Sequence, residues 1–182
     1  PESTVIVFFA GHGHAERDRT GTEDDGFAKY LLPWDTWTEN LMASAISNVE
    51  FKRLLATIKS KRLVTFLDAC YAGGVANADA RDVGILDAKV QPLGVGKGRL
   101  TIAAAQPNQR SYEDETLGHG IFTHHLIEAM RGEADADRDG YVTVMEVFKY
   151  LEQSVPCAVR RLKAEEQNPV LAGSLTDDIT LT

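Results

Sequence analysis

Residues 4–13 read Thr-Val-Ile-Val-Phe-Phe-Ala-Gly-His-Gly. Everything from Thr4 to Phe9 is apolar or β-branched, and the run breaks at Ala10-Gly11. That pattern is expected of a strand buried on both faces, as in a parallel sheet. A second run of the same kind, Leu63-Val-Thr-Phe-Leu67, leads into Asp68-Ala-Cys70, and Arg99 to Ala105 reads as a third strand. Between the first two, Ser47-Asn-Val-Glu50 has the spacing of a helix capping box. Phe51, Leu54, Leu55 and Ile58 then recur at helical spacing, predicting a helix to about Lys59. Further on, Phe122, Leu126, Ala129 and Met130 stripe one helix, and Val144, Val147, Phe148 and Leu151 another. Ile179-Thr-Leu181 is read as the last strand. Strands alternating with helices indicate an α/β domain with a mostly parallel sheet.

The intervening segments are polar or rich in turn residues. His14 to Gly26 reads as a solvated loop. Tyr30-Leu-Leu-Pro33 is at best a short strand, because proline cannot donate to a ladder. Gly73 to Gly98 has no period and is expected to be a long mobile loop, with Arg81, Lys89 and Lys97 open to proteolysis. No internal repeat or low-complexity tract interrupts the chain.

At 182 residues the chain has the size of one domain. Its 19 Lys and Arg face 27 Asp and Glu, a net charge of −8. That balance argues against a nucleic-acid binder and favours basic partners or substrates. The longest apolar run, Val5 to Ala10, is too short to cross a bilayer, and no basic-then-apolar leader precedes it, so neither membrane nor export is signalled. Two cysteines, Cys70 and Cys157, make no disulfide framework, which points to a reducing, cytoplasmic setting.

In open parallel sheets, ligands sit beyond the carboxyl ends of the strands. Two such ends carry reactive side chains here: Gly11-His12-Gly13 and Asp68-Ala-Cys70. If their strands are neighbours, His12 and Cys70 meet at one rim. A thiol beside an imidazole is the minimum for a nucleophilic cysteine, since the imidazole helps form thiolate and later protonates the leaving amine. The glycines beside His12 allow close approach of backbone to substrate. Taken singly, each residue has a plain reading: a strand-end cysteine is usually a small buried hydrophobe, and a histidine in a glycine-rich turn a loop residue.

The two segments Val5-Ile-Val-Phe-Phe-Ala-Gly-His-Gly13 and Phe66-Leu-Asp-Ala-Cys-Tyr-Ala-Gly73 resemble the signature segments of caspase-like cysteine peptidases, specifically metacaspases and their bacterial relatives. His12 and Cys70 are 58 residues apart, near the roughly 50 of caspases. Tyr30-Leu-Leu-Pro-Trp-Asp35 and Gly118-His-Gly-Ile-Phe-Thr123 also resemble the bacterial members, so the likeness spans nearly the whole of residues 1–182. The resemblance implies a caspase-like sheet with helices on both faces, Cys70 as nucleophile and His12 as general base and acid. It further implies an oxyanion hole from the backbone N–H groups of Gly13 and Cys70. Asp68 takes the position that lines the S1 pocket in metacaspases, implying cleavage of proteins or peptides after Arg or Lys. The plain reading of Asp68 is a strand-end carboxylate bonded to nearby amides. Glu113 and Asp114 are candidates to extend the pocket. The family places a strand–helix–strand segment before the motif that opens this sequence. The expectation is therefore a partial domain, completed by a longer polypeptide or a separate N-terminal chain, with an unpaired edge on the first strand.

Asp135-Ala-Asp137-Arg-Asp139-Gly140, with Glu146 six residues on, matches the EF-hand loop pattern over residues 135–146. Asp135, Asp137, Asp139, the Tyr141 carbonyl, Thr143 and Glu146 are the candidate calcium ligands. The rival reading needs no metal: Thr143-Val-Met-Glu146 is also a capping box. The adjacent His124 and His125 diverge by about 100° on a helix, poor geometry for sharing a ligand. No phosphate loop or zinc spacing is present. The chemistry itself requires no cofactor. A caspase-like calcium-responsive binding module without turnover is the alternative function, and an acyl-transferase using the same dyad a third.

Overall fold

A computed structural model describes residues 3–21, 26–70, 98–106, 109–175 and 177–182. Its strands are β1 (Thr4–Arg17), β2 (Phe27–Leu32), β3 (Ile46–Ser47), β4 (Arg62–Cys70), β5 (Arg99–Ala103), β6 (Glu113–Asp114), β7 (His119–Gly120) and β8 (Val170–Ser174). Its helices are α1 (Leu41–Ser44), α2 (Asn48–Thr57), α3 (Ile121–Glu128) and α4 (Val144–Lys163). The expected loop before Gly98 lies outside the described residues.

Six strands form one mixed sheet in the order β3-β2-β1-β4-β5-β8. The centre is parallel, β1 with β4 and β4 with β5, while β2, β3 and β8 join antiparallel. Helices cover both faces. On one, Val64 and Phe66 of β4 and Leu100 and Ile102 of β5 pack against Phe122 and Leu126 of α3 and Val147 and Leu151 of α4. On the other, Leu63 and Leu67 pack with Phe51 and Leu55 of α2. Alternate residues of each buried strand serve opposite cores, which is why these strands read as continuous apolar runs.

Local signals set the helix ends. Ser47 Oγ accepts from the Glu50 N–H at 3.1 Å and caps α2. At the far end, the Arg99 guanidinium donates to the carbonyls of Leu55 at 3.0 Å and Ser60 at 3.1 Å, supplying partners that a helix C-terminus lacks. Thr143 and Glu146 complete a reciprocal capping box at the start of α4.

Three readings of the sequence need correction. First, β1 does not stop at Ala10-Gly11: His12–Arg17 pairs antiparallel with Phe27–Leu32, so the start of the expected solvated loop, His14–Arg17, is a hairpin arm. Second, β1 is not buried on both faces. Thr4–Gly11 pairs with β4 on one side, among the described residues no strand takes the other, and Ile6 and Phe8 are 44% and 49% exposed. Third, Ile179–Leu181 is not a sheet strand. Thr180 bridges Thr143, and the Leu181 N–H donates to the Val142 carbonyl at 2.8 Å, tying the C-terminus to the loop before α4. The last sheet strand is β8, whose Gly173 has φ +117° and sits where any Cβ would strike the Arg99 carbonyl. Among the described residues no helix is long and apolar enough to cross a membrane.

Candidate active site

The parallel register pairs Ala10 with Asp68, Gly11 with Ala69 and His12 with Cys70. The two strand ends singled out from sequence are therefore side by side, at the carboxyl rim of the central sheet. His12 is exposed and pairs with Leu32 on its other flank, and Gly13 stands opposite Leu31. A cleft of about 1230 Å³ opens over this rim. Its floor is Phe8, Ala10 to Gly13 and Asp68; its walls are residues 110–116, the β7 segment, Thr123 and Lys163.

Asp68 is only 6% exposed, yet it lines the cleft. A buried carboxylate needs donors, and three groups supply them. The Ser111 hydroxyl donates to Oδ1 at 2.5 Å. The Thr123 N–H and hydroxyl donate to Oδ2 at 3.2 and 2.5 Å. These partners come from the wall and from the first turn of α3, not from the backbone amides beside Asp68. Ser111 is itself held by Gln167, which is 0% exposed and donates through Nε2 to Ser111 Oγ at 3.2 Å and to the Ala104 carbonyl at 3.0 Å. Gln167 Oε1 accepts from the Tyr112 N–H at 2.8 Å, pinning the wall to the core.

Glu113 and Asp114 both line the cleft, but they differ. Glu113 is exposed on β6, opposite Gly120. Asp114 is bonded by the Thr116 side chain and N–H and ion-paired with Lys163 at 3.0 Å. The Thr116 hydroxyl, then Lys163, holds its carboxyl down to about 2. Its charge is thus already matched by a cation of the protein.

The other candidates lie elsewhere. The carboxylates of Asp135, Asp137 and Asp139 converge to within 4.8 Å of one another. Glu146 does not join them: it accepts from the Thr143 N–H and hydroxyl, both at 2.9 Å, and from the Ala136 N–H at 3.2 Å. Tyr141 is exposed, and Thr143 serves as the helix cap. Trp34 is 98% exposed, and Cys157 is exposed inside α4.

Sequence reading missed Ser111, Gly120, Thr123 and Gln167 as the supports of Asp68. Gly120 and Thr123 fall in the segment Gly118-His-Gly-Ile-Phe-Thr123, whose likeness to bacterial peptidases marked it without saying what it touches. Nothing in the local pattern around Ser111 or Gln167 signals a partner far away in the chain.

Comparison with known proteins agrees with this architecture. The family model described as the caspase domain matches residues 1–180. Metacaspase-2 of Arabidopsis thaliana is 33% identical over 75 residues, which is 41% of this chain and 18% of that protein. A crystal structure of a Geobacter sulfurreducens protein superposes with a TM-score of 0.57 at 18% identity, over 95% of this chain and 66% of that one. Caspase-1 from Spodoptera frugiperda aligns over 64% of this chain and 46% of its own, at 19% identity and a TM-score of 0.41. The chain therefore spans a small part of the plant relative and about two thirds of the bacterial one.

Proposed function

The chain belongs to the caspase-domain family, and on that premise we propose that it is a cysteine endopeptidase that cleaves proteins after Arg or Lys. The observation that carries this reading is the register pairing of Cys70 with His12, which lines the cleft. Paired positions on neighbouring strands share one face of a pleated sheet about 4.8 Å apart, which supports an imidazole next to the thiol.

In this reading, His12 takes the Cys70 proton as sulfur attacks the scissile carbonyl carbon. Negative charge gathers on the carbonyl oxygen, where the backbone N–H groups of Gly13 and Cys70 stabilise it. Collapse of the tetrahedral intermediate breaks the C–N bond, and the amine leaves with the proton carried by His12. Water, deprotonated by the same imidazole, then hydrolyses the thioester and returns the thiol. Asp68 gives the cleft a fixed anionic site, and Ser111 and Thr123 hold it in place. A guanidinium or ammonium entering the cleft finds a carboxylate oriented before it arrives. An acidic side chain there meets like charge. The matched pair of Asp114 and Lys163 favours neither sign, so specificity falls on Asp68, with Glu113 at the mouth.

The test is hydrolysis of a peptide library varied at the residue before the scissile bond. The parent protein is expected to cut after Arg and Lys, and Cys70→Ala to abolish turnover while keeping the native circular dichroism. Undiminished turnover by Cys70→Ala removes this mechanism. Asp68→Ala is expected to flatten the basic preference more than it slows alkylation of the thiol.

A further inference from the structure

The second half of α3 gathers side chains that the cleft does not use. His124 and Glu128 stand four residues apart and His125 and Glu128 three apart, so both imidazoles reach the same carboxylate. His124 Nε2 lies 3.4 Å from Glu128 Oε1, and His125 Nδ1 lies 2.9 Å from Oε2. The divergence of two adjacent histidines on a helix is real, with ring centroids 5.1 Å apart and planes at 78°. It does not keep them apart, because Glu128 sits one turn on, between them. One donor atom from each of the three lies within 4.8 Å of the others.

We propose that His124, His125 and Glu128 form a binding site for a borderline transition-metal cation of the Zn²⁺ type. Two imidazole nitrogens and one carboxylate are a donor set that suits zinc and not calcium, which takes hard oxygen ligands only. Donors bound at about 2.1 Å in a tetrahedron are roughly 3.4 Å from each other. The existing contacts are already near that separation, so binding needs small rotations and no refolding. The site is half-exposed, with side chains 30%, 15% and 37% accessible, which gives a cation a way in and water the fourth position. Tyr150 of α4 donates its hydroxyl to Glu128 Oε2 at 3.3 Å, the kind of outer partner that orients a ligating carboxylate. The His119 ring is 5.6 Å from His124 and stands in the cleft wall, so the site adjoins the cleft without sharing its residues. The proposal does not depend on peptidase activity.

The experiment titrates the chelator-stripped full chain with Zn²⁺ by calorimetry and with Co²⁺ by visible absorption. The expected result is Zn²⁺ binding whose Co²⁺ counterpart shows tetrahedral d–d bands without sulfur-to-cobalt charge transfer. Glu128→Gln and His124→Ala are each expected to weaken Zn²⁺ by at least the roughly tenfold that losing even an outer partner costs. Zn²⁺ should raise the melting temperature of the parent and not of Glu128→Gln. Excess Ca²⁺ should leave the binding unchanged. Should His124→Ala fail to fold, the near-isosteric Glu128→Gln decides alone. Absence of binding, a thiolate charge-transfer band, displacement by Ca²⁺, or parent affinity in the folded variants would each overturn the site.

Discussion

Gly120 lies so close to Asp68 that a Cβ at position 120 would overlap the Oδ2 atom of that carboxylate. The φ of Gly120 is −58°, a value any residue adopts, so what excludes a side chain here is space and not backbone conformation. Asp68 cannot retreat, because Ser111 and Thr123 hold its oxygens. Gly120→Ala is therefore expected to destabilise the protein by about 1–3 kcal/mol, as overpacking does. It should also weaken the basic preference of the cleft by moving Asp68. Urea denaturation and the peptide library check the two effects; an alanine variant of parent stability and selectivity would show that the wall yields.

Gln167 links the core to the same carboxylate through Ser111. Gln167→Leu keeps the volume and takes a hydrogen-bond partner from the Ala104 carbonyl, Ser111 and the Tyr112 N–H. The expected loss is about 1–3 kcal/mol for each buried group left short. The loss should be larger than for Ser111→Ala, which interrupts one branch only. Equal stability of the two variants, measured by chemical denaturation, would mean that the branches are not coupled through Gln167.

Asp114 sets an acid limit. Its carboxyl is held down to about 2 by the Thr116 hydroxyl and Lys163, below the ordinary value of 3.8. A group whose folded pKa is depressed adds stability above its unfolded pKa and loses it as pH falls through the folded one. The parent is thus expected to exceed Asp114→Asn in melting temperature at neutral pH. The gap should narrow from about pH 4 and close near pH 2. A gap independent of pH across that range would assign the effect to packing.

Thr143 and Glu146 cap α4 reciprocally. Thr143→Ala is expected to cost about 1 kcal/mol, within the 0.5–2 range of lost N-caps. Because Thr143 also bridges Thr180, the C-terminal residues should exchange amide protons faster in the variant. Hydrogen exchange with unchanged C-terminal protection would separate cap from bridge.

Much of the central sheet was legible in the chain. Leu63–Leu67 is apolar or β-branched throughout because its alternate residues enter opposite cores, a pattern with few alternatives. Thr4–Phe9 has the same pattern, although Ile6 and Phe8 stay about half exposed. The flanks were harder. β2 ends against Pro33, and β8 is short and interrupted by Gly173, so neither has the length or periodicity that separates a strand from a loop. The calcium-loop pattern and the capping box coincide at Glu146, and sequence has no means of dividing one carboxylate between two uses. In the structure Glu146 is bonded to Thr143.

What the chain determined alone is which reactive residue types follow its two apolar runs, because that is a local pattern. What only the tertiary structure decided is what each group faces. Ser111 and Thr123 reach Asp68 across 43 and 55 residues of chain, and Lys163 matches Asp114 from the end of another helix. Such pairings are set by how helices land on the sheet, a geometry that depends on all the packed side chains together and leaves no mark at a single position.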